Sequence, residues 1–250
     1  RLNKTLEHEV DVLEHQFQRN GVRTMEGFAR FLVAHSIVVT SPDESELVIR
    51  GERFLIAVGT APFRPDYIPF DDDIILDSDV LIEAPRVPRS MVVIGAGVIG
   101  IEYATIFSAL DVQVTLIEPR DTFLDFVDRE IIDEFVHQLR DRNMIVRLGS
   151  KVTNIAKDKD GKVITTLEDG RAIRTEMLLF AAGRVGATSS LGLENCGLSV
   201  DNRGRLKVDP KTFQTEVPHI YAAGDVIGFP SLASTSMEQG RIAACHAFDL

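Results

Sequence analysis

Leu2, Leu6, Val10, Leu13 and Phe17 recur at steps of three and four residues, which predicts an amphipathic helix over residues 2–19. Glu7, Glu9, Asp11 and Glu14 form its polar face, and Gly21 follows as a C-cap. From residue 28 the period shortens. Phe28–Leu32, Ser36–Thr40, Leu47–Ile49 and Phe54–Val58 are brief apolar runs separated by turn signals such as Pro42–Ser45, the spacing of a small β-meander. Pro62, Pro65, Pro69 and the run Asp71–Asp73 then predict an irregular, solvated crossing segment, with a domain boundary in the stretch ending near Pro85.

The next stretch organises the rest of the chain. Met91–Ile94 is continuously apolar, as a strand covered on both faces should be. Ile101–Leu110 has few helix breakers, Asp111 marks a turn, and Val112–Ile117 is a second buried strand ending at Glu118. Residues 128–142 predict another helix, with Ile131, Ile132, Phe135 and Leu139 inward, followed by a short strand at 144–146. Lys151–Ile155, Lys162–Leu167 and Arg171–Ile173 make a second meander, with hairpin turns at Asp160-Gly161 and Asp169-Gly170. Met177–Gly183 is a further buried strand. The endings Phe54–Gly59, Leu178–Gly183 and Ile220–Gly224 echo one another, which suggests two related nucleotide-binding domains, one inserted in the other.

Between the first two buried strands lies G-x-G-x-x-G: Gly95, Gly97 and Gly100. Gly95 permits a tight turn, Gly97 clears space for a diphosphate, and Gly100 allows close helix–strand packing. Val98 and Ile99 open a helix whose unpaired N–H groups and partial positive charge suit phosphate. Such a glycine pattern alone is a weak signal. Here strand, glycines, helix, strand and acid follow in order, with Glu118 at the distance of a carboxylate that accepts a ribose 2′-OH.

Composition adds limits. A 250-residue chain with 44% hydrophobic residues supports one large or two ordinary domains, and its net charge of −11 argues against a general nucleic-acid or membrane surface. No apolar run reaches membrane-spanning length. Cys196 and Cys245 match no C-x-x-C or metal spacing, six histidines are scattered, and no nucleophile motif is present, so no metal and no catalytic side chain are expected. Two reduced cysteines fit a cytosolic protein.

The Gly95–Gly100 turn with Glu102, the pair Gly183-Arg184, and the run Thr215-x-x-Pro218 to Asp225 resemble the flavoprotein oxidoreductases with two dinucleotide-binding domains, the family of glutathione reductase and lipoamide dehydrogenase. Gly224–Ser234 is most similar to its flavin-dependent transhydrogenase branch. The resemblance implies an α/β fold: a Rossmann-like NAD(P)-binding domain over residues 85–183, with a three-layer sheet and β-meander. It is inserted in a partial FAD-binding domain, residues 1–84 and 184–250. It implies FAD, NAD and NADP as cofactor and substrates, a cytosolic homo-oligomer, and hydride passage between NADPH and NAD through FAD. Members begin with an ADP-gripping strand and end in a dimerisation domain. This chain starts at Arg1 without an initiator Met, so it is expected to be the middle of a longer enzyme and inactive by itself.

The resemblance also assigns residues. Asp225 would bind the flavin ribityl hydroxyls, although it also suits a helix N-cap. Ala233 would approach the flavin at a helix start, or simply pack there. Glu102 would hold the nicotinamide carboxamide, or be a surface glutamate. Gly183 would pass the nicotinamide half, or only end a strand. Relatives often carry Pro-Asn after the Gly-Arg, where this chain has Gly186-Ala187. Glu118 favours a 2′-OH, and Arg120 either meets a 2′-phosphate, so that one site serves both nucleotides, or is a solvated cation. Two alternatives remain: a dithiol-using relative such as lipoamide dehydrogenase or mercuric reductase, and a non-catalytic NAD-binding redox module.

Overall fold

The computed structural model describes residues 2–250. Its contacts divide the chain into two units, residues 1–59 with 186–250, and residues 60–185. The first unit opens with helix α1 (Leu2–Arg19), whose C-terminal Gly21 has φ +68°, the left-handed conformation expected of a glycine cap. The period is the expected one, but Leu6, Val10, Leu13 and Phe17 are exposed; the side chain of Leu2 lies outside the description. The antiparallel meander β1 (Phe28–Val33), β2 (Ser36–Thr40) and β3 (Glu46–Arg50) pairs Phe28 with Thr40 and Ser36 with Arg50. Strand β4 is Phe54–Ile56.

The second unit begins at β5 (Thr60–Pro62) and β6 (Ile75–Leu76). There follow β7 (Ser90–Ile94), α2 (Val98–Ala109), β8 (Gln113–Glu118), α3 (Arg129–Asp141) and β9 (Ile145–Leu148). The antiparallel meander is β10 (Val152–Lys157), β11 (Val163–Leu167) and β12 (Ala172–Thr175). Strand β13 (Met177–Phe180) returns to the sheet, and β14 (Arg184–Gly186) leads out. The parallel sheet has the order β6-β13-β7-β8-β9. Alternate residues of each strand serve opposite faces. Met91, Val93, Val114 and Leu116 pack under Ile101, Ala104 and Phe107 of α2 and Ile132, Val136 and Leu139 of α3. Val92, Ile94, Ile117 and Phe180 meet Ile155, Val163 and Leu167 of the meander. Both faces are covered, which is why β7 and β13 read as nearly unbroken apolar runs.

Three expectations are corrected. The crossing segment 60–84, placed with the first domain, belongs to the second unit, because β6 pairs with β13 and Ile68, Ile74 and Ile75 enter its core. Ile131 points outward and is 61% exposed; adjacent residues on a helix cannot share one face, and Ile132 takes the buried position. The aspartate run is structured rather than merely solvated. Asp71 Oδ1 accepts the N–H groups of Asp73, Ile74 and Ile75 at 3.0, 3.0 and 2.9 Å, and Lys157 pairs with its other oxygen.

Burial pushes the Asp71 carboxyl upward, but Lys157 and the three N–H groups outweigh it and lower its pKa to about 2. The folded value lies below the unfolded one, so the carboxylate stabilises the fold above pH ~4 and loses that contribution as pH falls toward ~2. Asp71→Asn is expected to flatten the fall in thermal stability between those values. An unchanged acid slope in melts across this range would contradict it.

The chain returns to the first unit with β15 (Ile220–Ala222), parallel to β4 in the register Ile220 with Phe54, and ends in α4 (Ala233–Ala247). Two of the three echoing segments are thus neighbours in one sheet. Their core gathers Phe31, Ile56, Leu193, Leu206, Ile220 and Val226.

Candidate functional site

The three glycines of the β7–α2 turn do different work. Gly95 has φ +100°, and its N–H donates to the Ile117 carbonyl at 2.8 Å. A Cβ there would lie 2.6 Å from the Ala181 carbonyl oxygen, and one on Gly100 would lie 2.0 Å from the Gly95 oxygen. These two positions are filled by the protein itself. Gly97 differs: it is the N-cap of α2 with φ −71°, and a Cβ there would meet nothing within 4 Å. No side chain caps the helix at this end, where the first N–H groups, those of Val98, Ile99 and Gly100, have no acceptor within the helix. An uncapped helix N-terminus beside a missing side chain has the chemistry to accept an anion.

Glu118 ends β8 beside the turn and is 4% exposed. Its Oε2 accepts the Ala96 N–H at 2.8 Å, and its Oε1 accepts Arg120 N–H at 3.2 Å and Arg120 Nε at 2.8 Å. Burial pushes the carboxyl up, yet the Arg120 guanidinium and the Ala96 and Arg120 N–H groups outweigh that and hold it below the usual glutamate value. It is therefore an anion at neutral pH. A carboxylate offers about four acceptor sites, and three of those on Glu118 are taken, one of them on Oε2. Arg120 also donates through Nη1 to Asp125 Oδ2 at 3.0 Å.

Glu102 lies exposed on α2, and Gly183 follows β13 with φ +128° and no atom within 4 Å of a would-be Cβ. Both leave room for a ligand. Arg184 is held in place: it grips Asp79 through two bonds of 2.7 and 3.2 Å and reaches the Thr60 hydroxyl and carbonyl, each at 2.8 Å. Arg184 keeps the Asp79 carboxyl below its ordinary value against burial. Tyr103 donates to the Ser78 carbonyl at 3.1 Å, and burial, then Asp79 and Glu102, push its phenol up. Asp79, Tyr103 and Asp125 were not singled out from the sequence. Asp125 lies only five residues past Arg120, but its turn gives no periodic signal; Asp79 and Arg184 are separated by 105 residues.

In the first unit, Asp225 sits half-buried in the short 3₁₀ turn Gly224–Ile227. It is not the cap of α4, whose N-cap is Leu232, and its carboxylate accepts no hydrogen bond among the described residues. Buried Gln239 accepts the Gly224 N–H at 2.8 Å and fixes the turn that presents Asp225. Ala233 is the first residue of α4 and is exposed, so the helix N-terminus has a small residue at its mouth. A free carboxylate suits ligand hydroxyls, and an uncapped helix N-terminus suits carbonyl oxygens or negative charge. Among the described residues no His, Cys, Asp or Glu cluster is placed to hold a metal, and Cys196 and Cys245 are unpaired.

A family model described as pyridine nucleotide-disulphide oxidoreductase matches residues 2–240. The chain belongs to this family. Among its pyridine nucleotide-disulphide oxidoreductase relatives, a soluble pyridine nucleotide transhydrogenase of Mycobacterium bovis is 48% identical over 96% of this chain and 51% of its own length. One from Colwellia psychrerythraea is 41% identical over 98% of the chain and 52% of its length. The chain thus spans about half the length of these relatives. Among solved structures, LpdA of Mycobacterium tuberculosis superposes with a TM-score of 0.90 at 28% identity, covering 98% of this chain and 55% of that one. The HOCl-induced flavoprotein disulfide reductase RclA of Escherichia coli gives 0.81 at 28% identity, over 97% and 56%. These likenesses carry the fold class and membership of an oxidoreductase family. No helix among the described residues is long and apolar enough to cross a membrane.

Proposed function

We propose that the full-length protein carrying this chain is a flavin-dependent transhydrogenase that passes hydride between NADPH and NAD⁺ through FAD. The observation behind this reading is the end of β8: a buried carboxylate and a half-exposed guanidinium side by side, next to an open glycine turn. The α2 N-terminus would hold the diphosphate through the N–H groups of Val98, Ile99 and Gly100, across Gly97. Glu118 Oε2 would accept the NAD ribose 2′-OH, and Arg120 would meet the 2′-phosphate of NADP. Glu102 would accept a hydrogen bond from the nicotinamide carboxamide, and Gly183 would leave the ring room. Asp225 would accept the flavin ribityl hydroxyls, with Ala233 giving clearance at the start of α4. FAD, when bound, supplies the ring that takes and returns hydride. No side chain need transfer a proton, which fits a site without a catalytic acid, base or nucleophile. A cytosolic location and homo-oligomer go with this reading as expectations for the longer protein.

The likeness to RclA, described as a flavoprotein disulfide reductase, favours a second reading, a dithiol-using reductase. Neither Cys196 nor Cys245 forms a pair, so that reading needs a dithiol from outside this segment. Stopped-flow spectroscopy of the full-length protein separates the two. NADPH should bleach the flavin absorbance, and NAD⁺ alone should then restore it at a rate compatible with turnover. Bleaching that NAD⁺ does not reverse would contradict the transhydrogenase.

A further inference from the structure

Arg120 is shared between two carboxylates of opposite character. Its Nε donates to Glu118, whose side chain is 5% exposed, and its Nη1 donates to Asp125, whose side chain is 60% exposed. The inner bond belongs to a buried anion that also grips the Ala96 N–H, and breaking it would strand a charge. The outer bond lies in water, where solvent and salt compete for both partners and the pair is weak. A guanidinium carries five N–H donors in a fixed fork, so the inner bond can persist while the outer arm changes partner.

Among the described residues the Asp125 side chain bonds only Arg120. The Val127 N–H donates to the Leu124 carbonyl at 2.8 Å, and Asp128 caps α3 through the Glu130 N–H at 2.9 Å; both structure the loop without the Asp125 side chain. Of the three aspartates between β8 and α3, Asp125 alone is bonded to Arg120. It occupies the guanidinium where the 2′-phosphate of a nucleotide at Glu118 would bind, and its own charge repels that phosphate.

We propose that Asp125 sets nucleotide preference: it is a resident counter-ion that an incoming 2′-phosphate must displace from Arg120, so it weakens NADP(H) relative to NAD(H). This inference rests on the Arg120 assignment above. A 2′-phosphate, nearly dianionic, outcompetes a single exposed carboxylate, whereas NAD leaves the Arg120–Asp125 pair closed. One site is thereby kept open to both nucleotides without either dominating.

The test is equilibrium binding of NADPH and NADH to the full-length protein, followed by nucleotide fluorescence, for wild type, Asp125→Asn, Asp125→Glu and Arg120→Ala. Asp125→Asn should lower the ratio of the NADPH to the NADH dissociation constant about fivefold, and high salt should shrink the change. Asp125→Glu, which keeps the charge, should hold the ratio within about twofold. Arg120→Ala should raise the ratio about tenfold. If Arg120→Ala moves the ratio while Asp125→Asn leaves it unchanged or raises it, the Asp125 proposal is overturned and the Arg120 assignment stands. If Arg120→Ala leaves the ratio unchanged, the assignment itself fails and takes the proposal with it.

Discussion

Gly97→Val is expected to give a folded protein that no longer binds NAD(H). The backbone at Gly97 has φ −71°, which valine can adopt, and its Cβ direction is empty to 4 Å. The structural cost is limited to a poorer N-cap, about 1 kcal/mol. That same empty volume is where a diphosphate must come within hydrogen-bond reach of the Val98, Ile99 and Gly100 N–H groups. A branched side chain there holds the ligand off by more than an ångström and removes several charge-assisted bonds at once, each worth about 1.5–3 kcal/mol. Affinity should fall by at least about a thousandfold, while the melting temperature moves by a few degrees. Calorimetric titration with NADH beside a thermal melt checks both. Retained affinity would mean the turn does not face the nucleotide.

Gly100→Ala should do the reverse and damage the fold first. Its Cβ would sit 2.0 Å from the Gly95 carbonyl oxygen. That oxygen cannot retreat, because Gly95 is fixed by its N–H bond to Ile117 and by φ +100°, and its own Cβ direction is closed by the Ala181 carbonyl. Helix α2 must then lift from β7 and β8, loosening Ile101, Ala104 and Phe107 in the core. Overpacking against backbone costs about 3 kcal/mol, and for a chain of this size that lowers the melting temperature by about 10 °C. A Gly100→Ala variant that melts with the wild type would refute the close-packing role. The two substitutions are expected to separate what one motif combines: close packing at Gly100 and ligand clearance at Gly97.

Much of this is legible in the sequence, and for stated reasons. Strands β7 and β13 are apolar on both faces, so they stand out as nearly unbroken runs, and the glycine spacing after β7 marks the turn. The residues that flank the turn follow from order along the chain, which is why Glu118 can be placed beside it from the sequence. What is hidden depends on contacts between distant segments. Asp71 reads as one of three aspartates in a loop, and only the return of Ile75 and the approach of Lys157 make it a structural anion. The Arg184–Asp79 grip joins residues 105 positions apart. Ile131 and Ile132 are equally apolar, and only packing of α3 on the sheet decides which is buried. The Arg120–Asp125 bond arises from a turn in which Leu124 has φ +52°, a backbone choice that no pattern of hydrophobic residues encodes.

The central claim is that the turn from Ile94 to Val98 holds a dinucleotide diphosphate with its ribose at Glu118. A crystal structure of the protein with saturating NADH tests it most directly. The account predicts the diphosphate over Gly97, within hydrogen-bond distance of the first N–H groups of α2, and a ribose hydroxyl on Glu118 Oε2. A nucleotide bound elsewhere with this turn empty, or a Glu118 carboxylate that makes no contact with the sugar, would contradict it.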